Sequence, residues 1–150
     1  MTERETFESG AERDVLPVRY DLCSPVAVES IMSLQEFDHE GRGLLQALFC
    51  GHQLLWPLIA IVEHRTGRRL LDAMYYILEA YARTMHEGAA KYGPRVWEKG
   101  IPEDNLRNHA IHHLVKLIGG DTSEPHLDHL IWNVLTIIHF REKEKGEGND

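Results

Sequence analysis

The sequence predicts an all-α protein, a bundle of four to five helices with an extended N-terminal arm. Three observations lead there. Apolar residues recur at three- and four-residue steps from about residue 26 to residue 141. Serine–proline and glycine–proline pairs stand where such helices begin and end. No alternation of polar and apolar residues runs long enough for a useful strand. The chain has 150 residues, 43% hydrophobic and 27% charged, enough for one domain with its own core.

Residues 1–23 carry few periodic apolar positions and read as the arm. Ser24-Pro25 opens the first helix, because serine caps well and proline suits the first turn. Val26, Val28, Ile31, Met32 and Leu34 give it an apolar side. A second segment, about 40–66, holds Leu44, Leu45, Leu48, Phe49, Leu54, Leu55, Leu58, Ile59 and Ile61. Pro57 is expected to kink or divide it, and Gly67 to stop it. The third helix, about 68–91, repeats Leu70, Leu71, Met74, Ile77, Leu78, Tyr81, Ala82 and Met85, then ends at Gly93-Pro94. A loop, GPRVWEKGIP, follows. The fourth helix runs from Pro102-Glu103 to Gly119-Gly120. The fifth is expected from Thr122 or Ser123 to Arg141, with residues 142–150 a frayed tail.

Composition narrows function. A net charge of −8 disfavours nucleic acid as a partner, since that affinity comes mostly from neutralising phosphates. No run of 18 apolar residues exists, so no membrane span is expected. The charged N-terminus lacks an apolar signal core, which predicts a cytoplasmic protein. Cys23 and Cys50 form no disulfide framework or zinc motif and read as reduced, partly buried thiols.

Five of the ten histidines fall within residues 109–129. On the fourth helix His109, His112, His113 and Lys116 share a face with Asn105, at ~100° per residue. On the fifth, His126, His129 and Asn133 share another. The short turn GGDTSEP brings the two stripes together. This predicts a pocket of His113, His126 and His129 beside Asp121, closed by Asn133, while Asp128 points roughly 200° away. Such a pocket suits a divalent metal or a phosphate; a hydrogen-bonded histidine seam explains the same pattern. Glu79–Arg83 and Glu87–Lys91 read as ordinary i,i+4 pairs, and Asp72 and His86 extend that polar face. Trp97, flanked by Arg95 and Lys99, either stacks a base against phosphate-binding cations or caps the core. Arg19-Tyr20-Asp21 repeats the aromatic-plus-charge theme.

GAAKYGPRVWEKGIP, a histidine–leucine pair, a glycine–aspartate turn and HLDHLIWN together resemble a phage and prophage family, the N-terminal domain of dATP/dGTP diphosphohydrolases. SGAERD and RYDLCSP are similar to that family's opening. The resemblance covers residues 9–25 and about 70–141; 35–69 reads as a helical insertion in a single nucleotide-handling domain. It implies roles for Arg13, Asp14, Arg19, Tyr20 and Asp21, for Gly88, Lys91, Tyr92, Gly93 and Trp97, and for His113, Asp121, His126, His129 and Asn133. Val96 stands where the family usually has asparagine, and His112 where it has arginine. HxxHxxxN also resembles the ExxDxxxN segment of MazG-type pyrophosphohydrolases, which are all-α and hold Mg²⁺ by carboxylates. With histidines in those places, Mn²⁺, Zn²⁺, Co²⁺ or Ni²⁺ is expected before Mg²⁺.

The resemblance implies a purine (deoxy)nucleoside triphosphate diphosphohydrolase releasing pyrophosphate and a monophosphate. His113, Asp121, His126 and His129 would hold metal or phosphate. Arg19, Tyr20, Lys91, Tyr92, Arg95, Trp97, His109 and Asn133 would bind the nucleotide. The alternative is a non-catalytic, sponge-type phage protein binding a purine nucleotide with the same residues. A third is a structural helical protein with no small ligand. The expected assembly is a homo-oligomer in a bacterial or phage-infected cell.

Overall fold

Helix-forming periodicity accounts for most of the chain. The computed structural model describes residues 3–24, 26–27, 39–50 and 53–148. Among them are five α-helices: α1 (His39–Cys50), α2 (Leu55–Thr66), α3 (Leu70–Tyr92), α4 (Glu103–Ile118) and α5 (His126–Gly148). The all-α expectation holds. Most of the apolar side predicted for a helix opening at Ser24-Pro25 (Val28, Ile31, Met32, Leu34) lies outside the described residues. At its start, the Ser24 hydroxyl accepts the Ala27 N–H at 3.3 Å, the capping contact expected there.

The arm is not simply extended. Arg4–Thr6 (β1) and Glu12–Asp14 (β2) pair antiparallel, Glu5 opposite Arg13. Gly10, at φ +90°, makes the turn, and the Phe7 and Gly10 main chains close it. Three-residue strands are too short to show alternation; the visible signal was Ser9-Gly10, a turn that needs φ > 0.

The long second segment divides upstream of Pro57, between Cys50 and Leu55. Pro57 is the third residue of α2, where its missing N–H costs nothing. Gly67 ends α2 in the left-handed region (φ +69°), its N–H bonded to the Glu63 carbonyl at 2.9 Å. α5 starts at His126, not at Thr122 or Ser123: Pro125 disfavours helical conformation at Glu124 before it, and the Pro125 carbonyl accepts the His129 N–H at 3.1 Å in the first turn. The helix then continues through Gly148, beyond Arg141.

α5 is the central element. It packs on α4, α3 and α2, while α4 also meets α1 and the 3-10 turn Tyr20–Leu22. The core is aliphatic: Leu106, Ile111 and Leu114 of α4 lie against Leu130, Ile131 and Ile137 of α5, all 2% exposed or less. Each such side chain contributes about 1.5–3 kcal/mol on leaving water. Polar ties fix the phase. Glu103 takes the Arg141 guanidinium on both oxygens, at 2.6 and 3.2 Å, and Arg107 at 2.7 Å. Asp128 points away from the histidine pocket as expected, toward α3, where Arg83 binds it at 3.0 and 3.2 Å.

The arm is clamped by one buried residue of α4. Asn108 Oδ1 accepts the main-chain N–H groups of Tyr20 and Asp21, and its Nδ2 donates to the Val18 carbonyl at 3.1 Å. Leu71, Met74, Tyr75 and Leu78 stand exposed on α3 at i, i+3, i+4 and i+7. Cys23 and Cys50 are exposed, not partly buried. Among the described residues no helix is long and apolar enough to cross a membrane.

Candidate functional site

The α4–α5 hairpin brings the two histidine stripes together. His113 is buried on α4 and His126 at the first residue of α5, their Nδ1 atoms 3.0 Å apart. Behind His126, Asp121 Oδ1 lies 3.1 Å from Nε2. Asp121 also accepts both hydrogens of Ser123, at 2.6 and 2.8 Å, which hold its carboxyl well below the usual carboxylate range. An ionised Asp121 only accepts, so the proton of neutral His126 belongs on Nε2 and the lone pair on Nδ1.

Glu124, in the turn, was not foreseen. One of its oxygens, Oε1, lies 3.3 Å from His113 Nδ1, 3.4 Å from His126 Nδ1 and 3.5 Å from His129 Nδ1. His129 turns its other nitrogen toward Glu87 of α3 at 3.6 Å. His112, half-buried beside them, brings a ligand atom within 4.8 Å of those of His113 and Glu124. Helical phase arithmetic misses Glu124 because the residue precedes the helix; the signal was an acid two positions before His126.

This cluster forms one end of a cavity of about 570 Å³. Its walls come from β2, the end of α3, the Gly93–Pro102 loop, α4 and α5. Of the predicted residues, His109, His113, His129, Asn133, Lys91, Tyr92, Arg95 and Trp97 line it, and so do Arg13 and Asp14. His126 and Asp121 stand behind His113, off the wall. Arg19 and Tyr20 are elsewhere: Arg19 grips Asp21 at 2.7 and 2.8 Å, and Tyr20 lies 5.9 Å from the His112 ring on the outer side of α4.

Several lining groups are already engaged. Lys91 reaches Asp14 at 2.5 Å, and the Tyr92 hydroxyl donates to the same carboxylate at 2.9 Å. Burial pushes the Asp14 carboxyl up, but these two bonds outweigh it and hold it below its ordinary value. The expected Glu87–Lys91 pairing gives way to this contact, since Glu87 faces His129. Burial pushes the Arg13 guanidinium down to about 9, yet it stays charged at neutral pH over the Trp132 ring, 5.1 Å away. Arg95 sits in the left-handed region at φ +61° and pairs with Glu98 at 2.8 Å. A non-glycine there costs on the order of 1 kcal/mol, strain of the kind that collects at working loops. Trp97 turns edge-on to His139, Phe140 and Trp132, with centroids 5.0, 6.1 and 6.2 Å away. That is the packing of a cap on the core.

Asn133 is 1% exposed and lines the cavity. Its Nδ2 donates to the His129 carbonyl at 2.7 Å, which fixes the amide's orientation, and its Oδ1 has no hydrogen-bond partner among the described residues. An orphaned buried acceptor costs about 1–3 kcal/mol.

His109 makes the acid response predictable. Burial, then the nearby Arg13 charge, push its imidazole from 6.5 down to about 2. The folded state therefore resists a proton that the unfolded chain accepts. The stability is present in full above ~6.5 and is lost as pH falls below it. By pH 5 the loss is about 2 kcal/mol, at 1.36 kcal/mol per pKa unit. Urea melts of wild type and His109→Gln at pH 7.5 and 5 check this: the variant's loss should be smaller by about that amount, and equal losses would refute it.

The sequence profile of the family described as dATP/dGTP diphosphohydrolase, N-terminal, matches residues 63–150. The match spans more than half of the chain, from the end of α2 through α5, and leaves the arm motifs at 9–25 outside it. No curated protein matches the chain, and no solved structure does.

Proposed function

Because this chain belongs to the family of dATP/dGTP diphosphohydrolase N-terminal domains, we propose that its cavity binds a purine (deoxy)nucleoside triphosphate and hydrolyses it to a monophosphate and pyrophosphate. Water attacks the α-phosphorus and the bond to the bridging oxygen breaks, so pyrophosphate leaves. The observation that carries this reading is the cavity itself. Its volume of about 570 Å³ lies within the range of small-molecule sites, and residues of the matched segment make most of its wall. Asn133 Oδ1 supports a nucleobase: the exocyclic amine of adenine or the N–H groups of guanine would supply the donor that this acceptor lacks, and the choice of purine rests on the family. Arg13, Lys91 and Arg95 supply cationic charge.

A panel of dNTPs and NTPs, assayed for pyrophosphate with Mn²⁺, Zn²⁺, Co²⁺ or Mg²⁺, tests the proposal. Turnover of dATP or dGTP is the expected result. Tight purine-nucleotide binding with no product would instead make the protein a non-catalytic nucleotide-binding module. Neither binding nor turnover would remove the nucleotide reading.

We further propose a homo-oligomer. The apolar surface that supports it is the exposed α3 stripe of Leu71, Met74, Tyr75 and Leu78, more than residues 40–66. Light scattering at micromolar concentration should give a multiple of 17.3 kDa, and a mass of one chain would count against it.

A further inference from the structure

We propose that Glu124, His113, His126 and His129 form a binding site for one divalent transition-metal ion, with Asp121 orienting His126 from behind. The ligand set stands on distances. With metal–nitrogen and metal–oxygen bonds of about 2.0–2.2 Å, neighbouring ligand atoms of a four-coordinate ion lie about 3.3–3.5 Å apart. The three Nδ1 atoms stand 3.3, 3.4 and 3.5 Å from Glu124 Oε1, and those of His113 and His126 stand 3.0 Å from each other.

A seam of hydrogen bonds explains less. With Nε2–H of His126 committed to Asp121, its Nδ1 has no proton to give. His113 Nδ1–H can satisfy that lone pair and His129 Nδ1–H can reach Glu124 at 3.5 Å, but the His126 lone pair then faces the same carboxylate oxygen at 3.4 Å with no proton between them. One carboxylate oxygen facing three imidazole Nδ1 atoms is what a cation organises. The surroundings fit as well. His126 is backed by Asp121 at 3.1 Å and His129 by Glu87 at 3.6 Å, each at Nε2, opposite the nitrogen that faces Glu124. Carboxylates so placed fix the tautomer and raise the basicity of a metal-bound histidine. The His113 and His126 side chains are 8% and 3% exposed and that of Glu124 is 43% exposed, so the site is rigid on one side and open on the other. Three imidazoles and one carboxylate favour Zn²⁺, Co²⁺, Ni²⁺ or Mn²⁺ over Mg²⁺, an oxygen-seeking ion.

The role of the ion rests on the nucleotide reading, although the ligand set does not. Five acids line the cavity (Glu12, Asp14, Glu87, Glu98, Glu124) against three cations (Arg13, Lys91, Arg95). A triphosphate entering that field needs added positive charge. An ion held by His113, His129 and Glu124 at the wall supplies it and polarises a phosphoryl oxygen.

The test uses metal alone. Full-length protein is stripped with a chelator and titrated with Zn²⁺, Co²⁺ and Mg²⁺ by calorimetry, with Co²⁺ absorption reporting nitrogen ligation. One Zn²⁺ or Co²⁺ per chain is expected. Glu124→Gln, half-exposed and harmless to the core, should weaken binding tenfold or more, and His126→Ala further. Asp121→Asn should keep the stoichiometry while losing 10- to 100-fold in affinity. Circular dichroism verifies that each variant is folded. Wild-type protein that binds no transition metal, or prefers Mg²⁺, overturns the proposal; so does Glu124→Gln binding like wild type. Nucleotide turnover is measured separately, so a stoichiometric metal with no turnover would count against the nucleotide reading alone.

Discussion

Replacing Leu114 with alanine should lower unfolding free energy by about 2–5 kcal/mol and the melting temperature by about 4–20 °C. Leu114 is fully buried on α4. It sits in the most extensive helix–helix contact among the described residues, that of α4 with α5. Truncation removes the transfer free energy of its methyl groups and leaves a void. The backbone cannot close that void easily, because Glu103 to Arg141 and the His113–His126 contact hold α4 and α5 at fixed spacing. Urea melts at constant m-value are the measurement. A loss under 1 kcal/mol would mean that the helices collapse onto the gap and that the interface is far more plastic than its ties suggest.

Trp97→Ala is expected to cost about 2–4 kcal/mol of stability, less than a fully buried tryptophan because the ring is only part-buried. The ring's edge-on contacts with Trp132, His139 and Phe140 would all be lost. The two roles open to this residue separate cleanly. A base platform would lose about 1–3 kcal/mol of nucleotide affinity with little change in melting. A cap on the core loses stability first. Calorimetric affinity and thermal melts on the same variant decide, and an unchanged melting temperature with tenfold weaker nucleotide binding would reverse the assignment made from packing.

Helix spacing was legible because apolar residues at three- and four-residue steps mark a helix, but the buried face was not. On α3 Ile77 is buried, while Leu70, Leu71, Met74 and Leu78 of the predicted stripe stand exposed and the small side chains of Ala73 and Ala80 take the core side. Termini were less legible. Thr122 and Ser123 look like caps, but Pro125 keeps the residue before it out of the helix, and α5 begins after Pro125 instead. The β-hairpin escaped because three residues per strand carry no pattern. In the site, phase arithmetic placed His113, His126 and His129 near one another and put Asp128 outside. It had no means to place Glu124 or Asp14, whose positions depend on a turn and on an arm that folds back across the bundle. Lys91 looked free for phosphate and Tyr92 for a base; Asp14, 77 and 78 residues away in sequence, already holds them.

The Asn108 clamp carries a thermodynamic consequence. Val18, Tyr20 and Asp21 are pinned to α4 just after β2, and β2 supplies Glu12, Arg13 and Asp14 to the cavity wall. Opening the arm breaks its own contacts, among them Ala11 in the core, Phe7 against it and Arg13 over Trp132, but leaves α1–α5 packed, so it is a sub-global event that costs less than global unfolding. A ligand touching Arg13 or Asp14 binds only the closed form. Occupancy and arm closure therefore share one free energy: each tenfold excess of ligand over its dissociation constant makes opening about 1.4 kcal/mol harder. The amides of residues 4–14 should thus exchange with solvent on a ligand-dependent clock, while those of α5 keep theirs.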